Sequence, residues 1–306
     1  MPERKPSNYN FNFLARQILR WVGIALVIAM LAMMIIIVRN ERNYQQGNDT
    51  YAQLIRQVVT TPETTESADD ESAESDGRSS ESQALTAIPP FSTQLTTNST
   101  SSTSNEANQM DLKRVRSLID VNFPALKAVN SEVAAWVFSE KTTLSYPIVR
   151  SDNNERYLNH LIDGTENPLG TLFIDYRNQP DFRDDNTLIY GHNMEDNSML
   201  ASLPEYKRQT YYDDHPVLYL FRPDQTFRVE LVSGFDIGPD DMGLMQFNFA
   251  SPRDHDAFVL QIRTRSWFKS RVVPQSTDRF VTFLTCNYES NEGRFALVGR
   301  LVPLGN

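Results

Sequence analysis

From about residue 110 onward, apolar and polar positions alternate in short runs that predict strands. Such runs fall at 133–138, 146–149, 171–175, 186–190, 217–221, 227–233, 280–284 and 295–302, each rich in β-branched and aromatic residues. Turn-forming residues separate them, so eight strands over roughly 190 residues predict a barrel or a sandwich. Two stretches switch to helical spacing. Leu112, Val115, Leu118 and Ile119 share one face of a helix that Asn122-Phe123-Pro124 interrupts, and Pro124 suits the start of a second helix reaching about residue 129. Between the sixth and seventh strands, Ser251 and Pro252 open a long helix with a cap residue followed by a first-turn proline. It is predicted to run to about residue 271 and carries Phe258, Ile262 and Trp267.

The N-terminal third has a different pattern. Residues 21–38 form an uncharged apolar run of 18 residues, enough to cross a bilayer as a helix. Arg4, Lys5, Arg16 and Arg20 precede it, and Arg39, Glu41 and Arg42 follow. The cationic excess before the run predicts a cytoplasmic N-terminus; a cleaved signal peptide is the competing reading, although no small-x-small site follows closely. Tyr51, Leu54, Ile55 and Val58 continue at helical spacing as a short juxtamembrane helix. From about 60 to 108, Ser, Thr, Asp, Glu and Asn dominate, which predicts a disordered stalk. As a coil it would hold a folded domain about 40 Å from a membrane. The expected organisation is therefore 1–20 cytoplasmic, 21–38 transmembrane anchor, 39–109 juxtamembrane segment and stalk, and 110–306 a folded extracellular domain.

Composition narrows the function. The 306 residues carry a net charge of −10, which argues against a nucleic-acid partner. There is a single cysteine, Cys286, so no internal disulfide forms and the domain is held by its core. A lone thiol outside the cell is either buried and inert or kept for reactivity. Cys286 ends the predicted strand 280–284, and Arg294 opens the next after a polar loop. Two antiparallel strands so joined would bring thiol and guanidinium to one end of a sheet. Of the four histidines, His192 stands out: it follows a strand and Gly191 in Thr187–Met194, TLIYGHNM. Any single histidine has a purely structural reading, to which His160, His215 and the helix residue His255 conform better, the last as a surface residue. No metal-ligand spacing, P-loop, dinucleotide-binding glycine pattern or G-x-S-x-G elbow is present. A Met/Phe group at Met242, Met245, Phe247 and Phe249 reads as core packing.

Several blocks in one order resemble a known family. FLTC at 283–286, Arg294 and TLIYGHNM are similar to sortases, the membrane-anchored cysteine transpeptidases of Gram-positive bacteria. AAWVF (134–138), LSYPIV (144–149), NNERYLNH (153–160) and GTLFIDYRN (170–178), with the long helix before the seventh strand, resemble class B members over about 115–306. The resemblance implies an eight-stranded sortase-type β-barrel with N-terminal helices and a Cys286–His192–Arg294 site; from the ligand spacing no metal is expected at that site, and no cofactor is expected. It implies cleavage of a sorting-signal pentapeptide after Thr on surface proteins, and transfer to a cell-wall peptide amine. Rival readings are a pilin polymerase using a pilin lysine as acceptor, and a catalytically silent tethered binding domain. By resemblance Asn159 lines the substrate groove, unless it is a cap or turn residue, and Thr285 touches substrate, unless it is simply a strand residue. Leu284 departs from the family pattern, which often has a small hydroxyl residue there.

Overall fold

The computed structural model describes residues 9–60, 100–238, 241, 243, 246–286 and 294–305, with side chains for all of these except 9–15, 100–103 and 286. In chain order, helix α1 (Tyr9–Val58) leads into the two-residue strand β1 (Val59–Thr60). Helix α2 (Thr100–Leu118), strand β2 (Asp120–Val121) and helix α3 (Phe123–Val129) follow. The predicted break after α2 holds: the Asn122 side chain caps α3 by accepting from Ala125 N at 3.0 Å, with proline in the first turn.

Then come β3 (Val133–Phe138), β4 (Ser145–Val149), β5 (Leu172–Ile174), β6 (Asn186–Gly191), the short helix α4 (Gln209–Asp214), β7 (Val217–Phe221) and β8 (Thr226–Ile237). Helix α5 (Pro252–Arg265), β9 (Phe280–Cys286) and β10 (Arg294–Gly305) complete the domain. The eight strands β3–β10 close into a barrel in the order β10-β8-β7-β3-β4-β5-β6-β9. Neighbours are antiparallel except β4–β5 and β6–β9. Closure leaves the barrel itself without an unpaired edge strand among the described residues.

Neighbouring residues on a strand serve different cores, as a two-residue pleat requires. Val281 and Phe283 join the main core with Trp136, Ile148, Phe173, Leu220 and Phe295. Phe280 and Leu284 join a second one with Leu188, Val298 and the Phe258 and Ile262 face of α5. The Ser251 side chain accepts from Asp254 N at the start of α5. The helix ends at Arg265, short of the expected residue 271, because Ser266 and Trp267 turn onto β8: Gly234 N donates to Ser266 Oγ, and Trp267 N donates to Gly234 O. His255, expected on the surface, is buried. It shares the α5 face of Phe258 and Ile262, and its ring meets Phe249 and Phe280. Phe247 and Phe249 pack on this second core, while Met242 and Met245 lie outside the described residues.

The docked region begins well before the expected residue 110. Helix α1 runs without a break from the exposed apolar stretch into a segment that lies on the barrel, burying Tyr51, Leu54 and Val58. Strand β1 then pairs with β2, Val59 opposite Val121. The N-terminal flank of the stretch 61–99 is thus docked, and Asn43 of α1 already bonds to the barrel domain five residues after Val38. At about 1.5 Å per helical residue that is less than 10 Å, so the interval between apolar run and barrel is helical. The stretch expected to act as a stalk lies largely outside the described residues.

Candidate active site

Strands β6 and β9 run parallel, and their register places Gly191 opposite Thr285. The next residue on each chain is His192 and Cys286. On the other side of β9, Cys286 is paired with Arg294, the first residue of β10, and Arg294 is paired in turn with Ile237 at the end of β8. One end of three adjacent strands therefore collects Cys286, His192 and Arg294, in the arrangement expected from their strand-end positions. Gly191 is required by close packing: a Cβ there would lie 2.3 Å from Leu172 Cδ2 and 2.9 Å from Leu200 Cδ1.

The His192 ring is anchored at Nε2. Its Nε2 lies 2.6 Å from the carbonyl oxygen of Leu158, at the end of the 3-10 turn Arg156–Leu158. A carbonyl only accepts, so Nε2 carries the hydrogen in the neutral ring. The loop after His192 is closed by a Leu200 N to His192 O bond of 2.9 Å and an isolated bridge between Asn193 and Met199.

Arg294 is exposed, with its guanidinium carbon 5.8 Å from the ring centroid of Tyr190. That distance allows a cation–π contact. Tyr190 is tied down behind the site: its hydroxyl donates to Asp175 Oδ2 at 3.0 Å. The Asp175 carboxylate is fully buried and also accepts from the Arg177 guanidinium at 2.8 and 2.9 Å and from Asn154 at 3.1 Å. Burial alone would raise the Asp175 pKa, but the bonds from Arg177, Asn154 and Tyr190 outweigh it and hold the group below the ordinary carboxylate value. Burial, the nearby Asp175 charge and the bond donated to it all push the Tyr190 phenol well above its ordinary value, so it remains a donor.

Asn159 is exposed next to Leu158, with its Oδ1 2.9 Å from His160 Nδ1. Thr285 is buried on the side of the barrel core, and Leu284 packs in the second core with Phe235 and Ile237. Sequence reasoning did not find Leu158, Tyr190 or Asp175. Leu158 acts through its backbone, which no side-chain pattern reveals. Tyr190 and Asp175 carried a weak signal, a polar group in each of two otherwise apolar strand regions.

No protein-family model matches the chain. Sortase B of Listeria monocytogenes is 31% identical over 179 residues, covering 58% of this chain and 72% of that protein. Sortase B of Staphylococcus aureus is 24% identical over 198 residues, covering 64% and 81%. Among solved structures, the Clostridium perfringens sortase B superposes with a TM-score of 0.56 at 25% identity, over 58% of this chain and 98% of that one. A Staphylococcus aureus sortase B–substrate complex gives 0.57 at 24% identity, over 66% and 94%. With the closed barrel and these relatives together, the chain belongs to the class B sortases and is a sortase transpeptidase.

Proposed function

We propose that Cys286 is the nucleophile, His192 the acid–base group and Arg294 the oxyanion donor of a membrane-anchored transpeptidase. The substrate is a sorting-signal pentapeptide on a surface protein, cleaved after its threonine. The observation that carries this reading is the register: Gly191 opposite Thr285 and Cys286 opposite Arg294 gather the three residue types at one barrel end.

In the first step His192 Nδ1 takes the proton of the Cys286 thiol as the sulfur forms a bond to the threonine carbonyl carbon, and the carbonyl electrons move onto oxygen. Arg294 donates to that oxyanion, an effect worth about 3–4 kcal/mol of barrier for a well-placed donor. The intermediate collapses, the C–N bond breaks, and the leaving amine takes a proton from His192 Nδ1. A thioester remains on Cys286. An amine of a cell-wall peptide then attacks the thioester carbonyl, His192 accepts its proton, and the sulfur leaves as the new amide forms. With Nε2–H engaged by Leu158, the proton transfers are assigned to Nδ1. Asn159, exposed beside that turn, contributes to the groove wall, and buried Thr285 supports the floor.

The apolar part of α1 is the membrane anchor in this reading, with the cationic N-terminus inside the cell and the barrel outside. The supporting observation is that its 43-residue stretch from Arg16 to Val58 holds an apolar window with no buried residue. The deciding experiment is intact mass spectrometry of the protein mixed with a pooled library of threonine-containing pentapeptides. A thioester adduct on the wild type and none on Cys286→Ala is the expected result. An equal adduct on Cys286→Ala overturns the assignment.

A further inference from the structure

The segment of α1 that lies on the barrel touches the two chain stretches that hold His192. Asn48 Nδ2 donates to Asp196 Oδ2 at 2.6 Å, and Asp196 sits in the loop that His192 begins. Gly47 lies flat on Leu169: a Cβ there would be 2.7 Å from Leu169 Cδ2. Asn167 Nδ2 donates to Asn43 O at 2.7 Å. The central contact is Tyr51. Its hydroxyl is 2.8 Å from Gly170 O and 2.9 Å from Thr171 Oγ1, and burial pushes the phenol far up, so it stays protonated.

Gly170 and Thr171 brace the turn that supplies the Leu158 carbonyl. Thr171 N donates to Tyr157 O at 3.0 Å, and Thr171 Oγ1 donates to His160 O at 2.9 Å, one on each side of Leu158. Gly170 adopts φ +62°, and a Cβ on it would sit 2.5 Å from Tyr157 O and 2.9 Å from Leu158 O. Only glycine allows the Leu158 carbonyl to rest there and still reach His192 Nε2.

We propose that Tyr51 is a positioning residue for His192: it fixes the Gly170–Thr171 corner, which aims the Leu158 carbonyl, which holds the imidazole in the Nε2–H tautomer. The juxtamembrane half of the anchor helix is then part of the catalytic unit. The catalytic consequence rests on His192 being the acid–base group; the tautomer consequence does not.

The test uses the full chain in detergent micelles, uniformly 15N-labelled at histidine, with His192→Gln to assign its signals. Long-range 1H–15N spectra of the imidazole report the tautomer. Wild type shows the Nε2–H form. Tyr51→Phe keeps the ring packed edge-on against Tyr146, 5.5 Å away, and removes only the hydroxyl. It gives a mixture of tautomers, and Gly170→Ala a larger shift. Acylation by the library member that reacts fastest with wild type falls about three- to tenfold in kcat for Tyr51→Phe with KM unchanged, as expected for one lost hydrogen bond. Arg56→Ala, on the exposed side of the same helix, leaves both readouts at wild-type values. Wild-type tautomer populations in Tyr51→Phe overturn the proposal. Undiminished acylation by His192→Gln instead overturns the acid–base role, leaving the tautomer result to stand alone.

Discussion

Gly191 and Thr285 face each other across the parallel β6–β9 ladder, and this single register makes His192 and Cys286 the next residues on adjacent strands. Space beside Gly191 is already filled by Leu172 and Leu200. Gly191→Ala must push β6 away or displace both leucines, an overpacking cost of about 1–3 kcal/mol. The expected result is a folded protein with a lower denaturation midpoint and a drop in acylation of at least tenfold. Wild-type acylation in this variant would show that the strand-end register tolerates movement.

Arg294 and Tyr190 make separable contributions. Arg294→Ala removes the proposed oxyanion donor and should lower kcat by about 10²–10³. Arg294→Lys keeps the charge without the planar fork and should recover only part of it. Tyr190→Leu removes the ring beside the guanidinium, a contact worth about 0.5–1 kcal/mol at an exposed cation, so a loss of roughly two- to fivefold is expected. Single-turnover acylation rates measure all three. Equal losses for Arg294→Ala and Tyr190→Leu would mean that Arg294 acts on the fold and not on the oxyanion.

Much of the barrel was legible because its strands are built from runs such as Val133–Phe138 and Val217–Phe221, where β-branched and aromatic residues recur between turn formers. That Cys286 and Arg294 share one end of a sheet was legible for a related reason: one closes such a run and the other opens the next. What the sequence hid were contacts made through backbone or across long separations. Tyr51, Leu54 and Val58 marked a helix face but not its partner, which lies more than a hundred residues away at Gly170 and Thr171. His255 looked like a surface residue because α5 is polar overall, yet its spacing to Phe258 and Ile262 put it on the buried side. The carbonyl of Leu158 has no side-chain signature at all.

Asp175 makes stability depend on pH in a defined direction. Its folded-state pKa lies below the ordinary carboxylate value, because the bonds from Arg177, Asn154 and Tyr190 outweigh the effect of burial. The stabilisation is therefore complete above the ordinary value, about 3.9, and is lost as pH falls through the depressed folded value. Asp175→Asn should be less stable than wild type at pH 7, and the gap should narrow on acidification below about pH 4. Denaturant midpoints at several pH values from 7 downward give the comparison. A gap that stays constant into the acid range would mean that the carboxylate charge contributes nothing to the fold.

The docking of α1 on the barrel predicts where a soluble version of the enzyme can begin. Starting the chain at residue 40 keeps Tyr51, Leu54 and Val58, all buried, together with the β1–β2 pair. Starting it at residue 100 uncovers the surface those side chains occupy, including the edge of Tyr146 against Tyr51. Burying one such side chain is worth about 1.5–3 kcal/mol, and the shorter chain loses all three together with the Val59–Val121 pairing. The residue-40 version should melt several degrees above the residue-100 version. The latter should also bind more of a hydrophobic dye at its newly exposed patch. Leu54→Ala in the longer version separates packing from length: it should cost about 2–5 kcal/mol if the helix is docked in solution. A cost below about 0.5 kcal/mol, the range of an exposed position, would place this segment off the barrel.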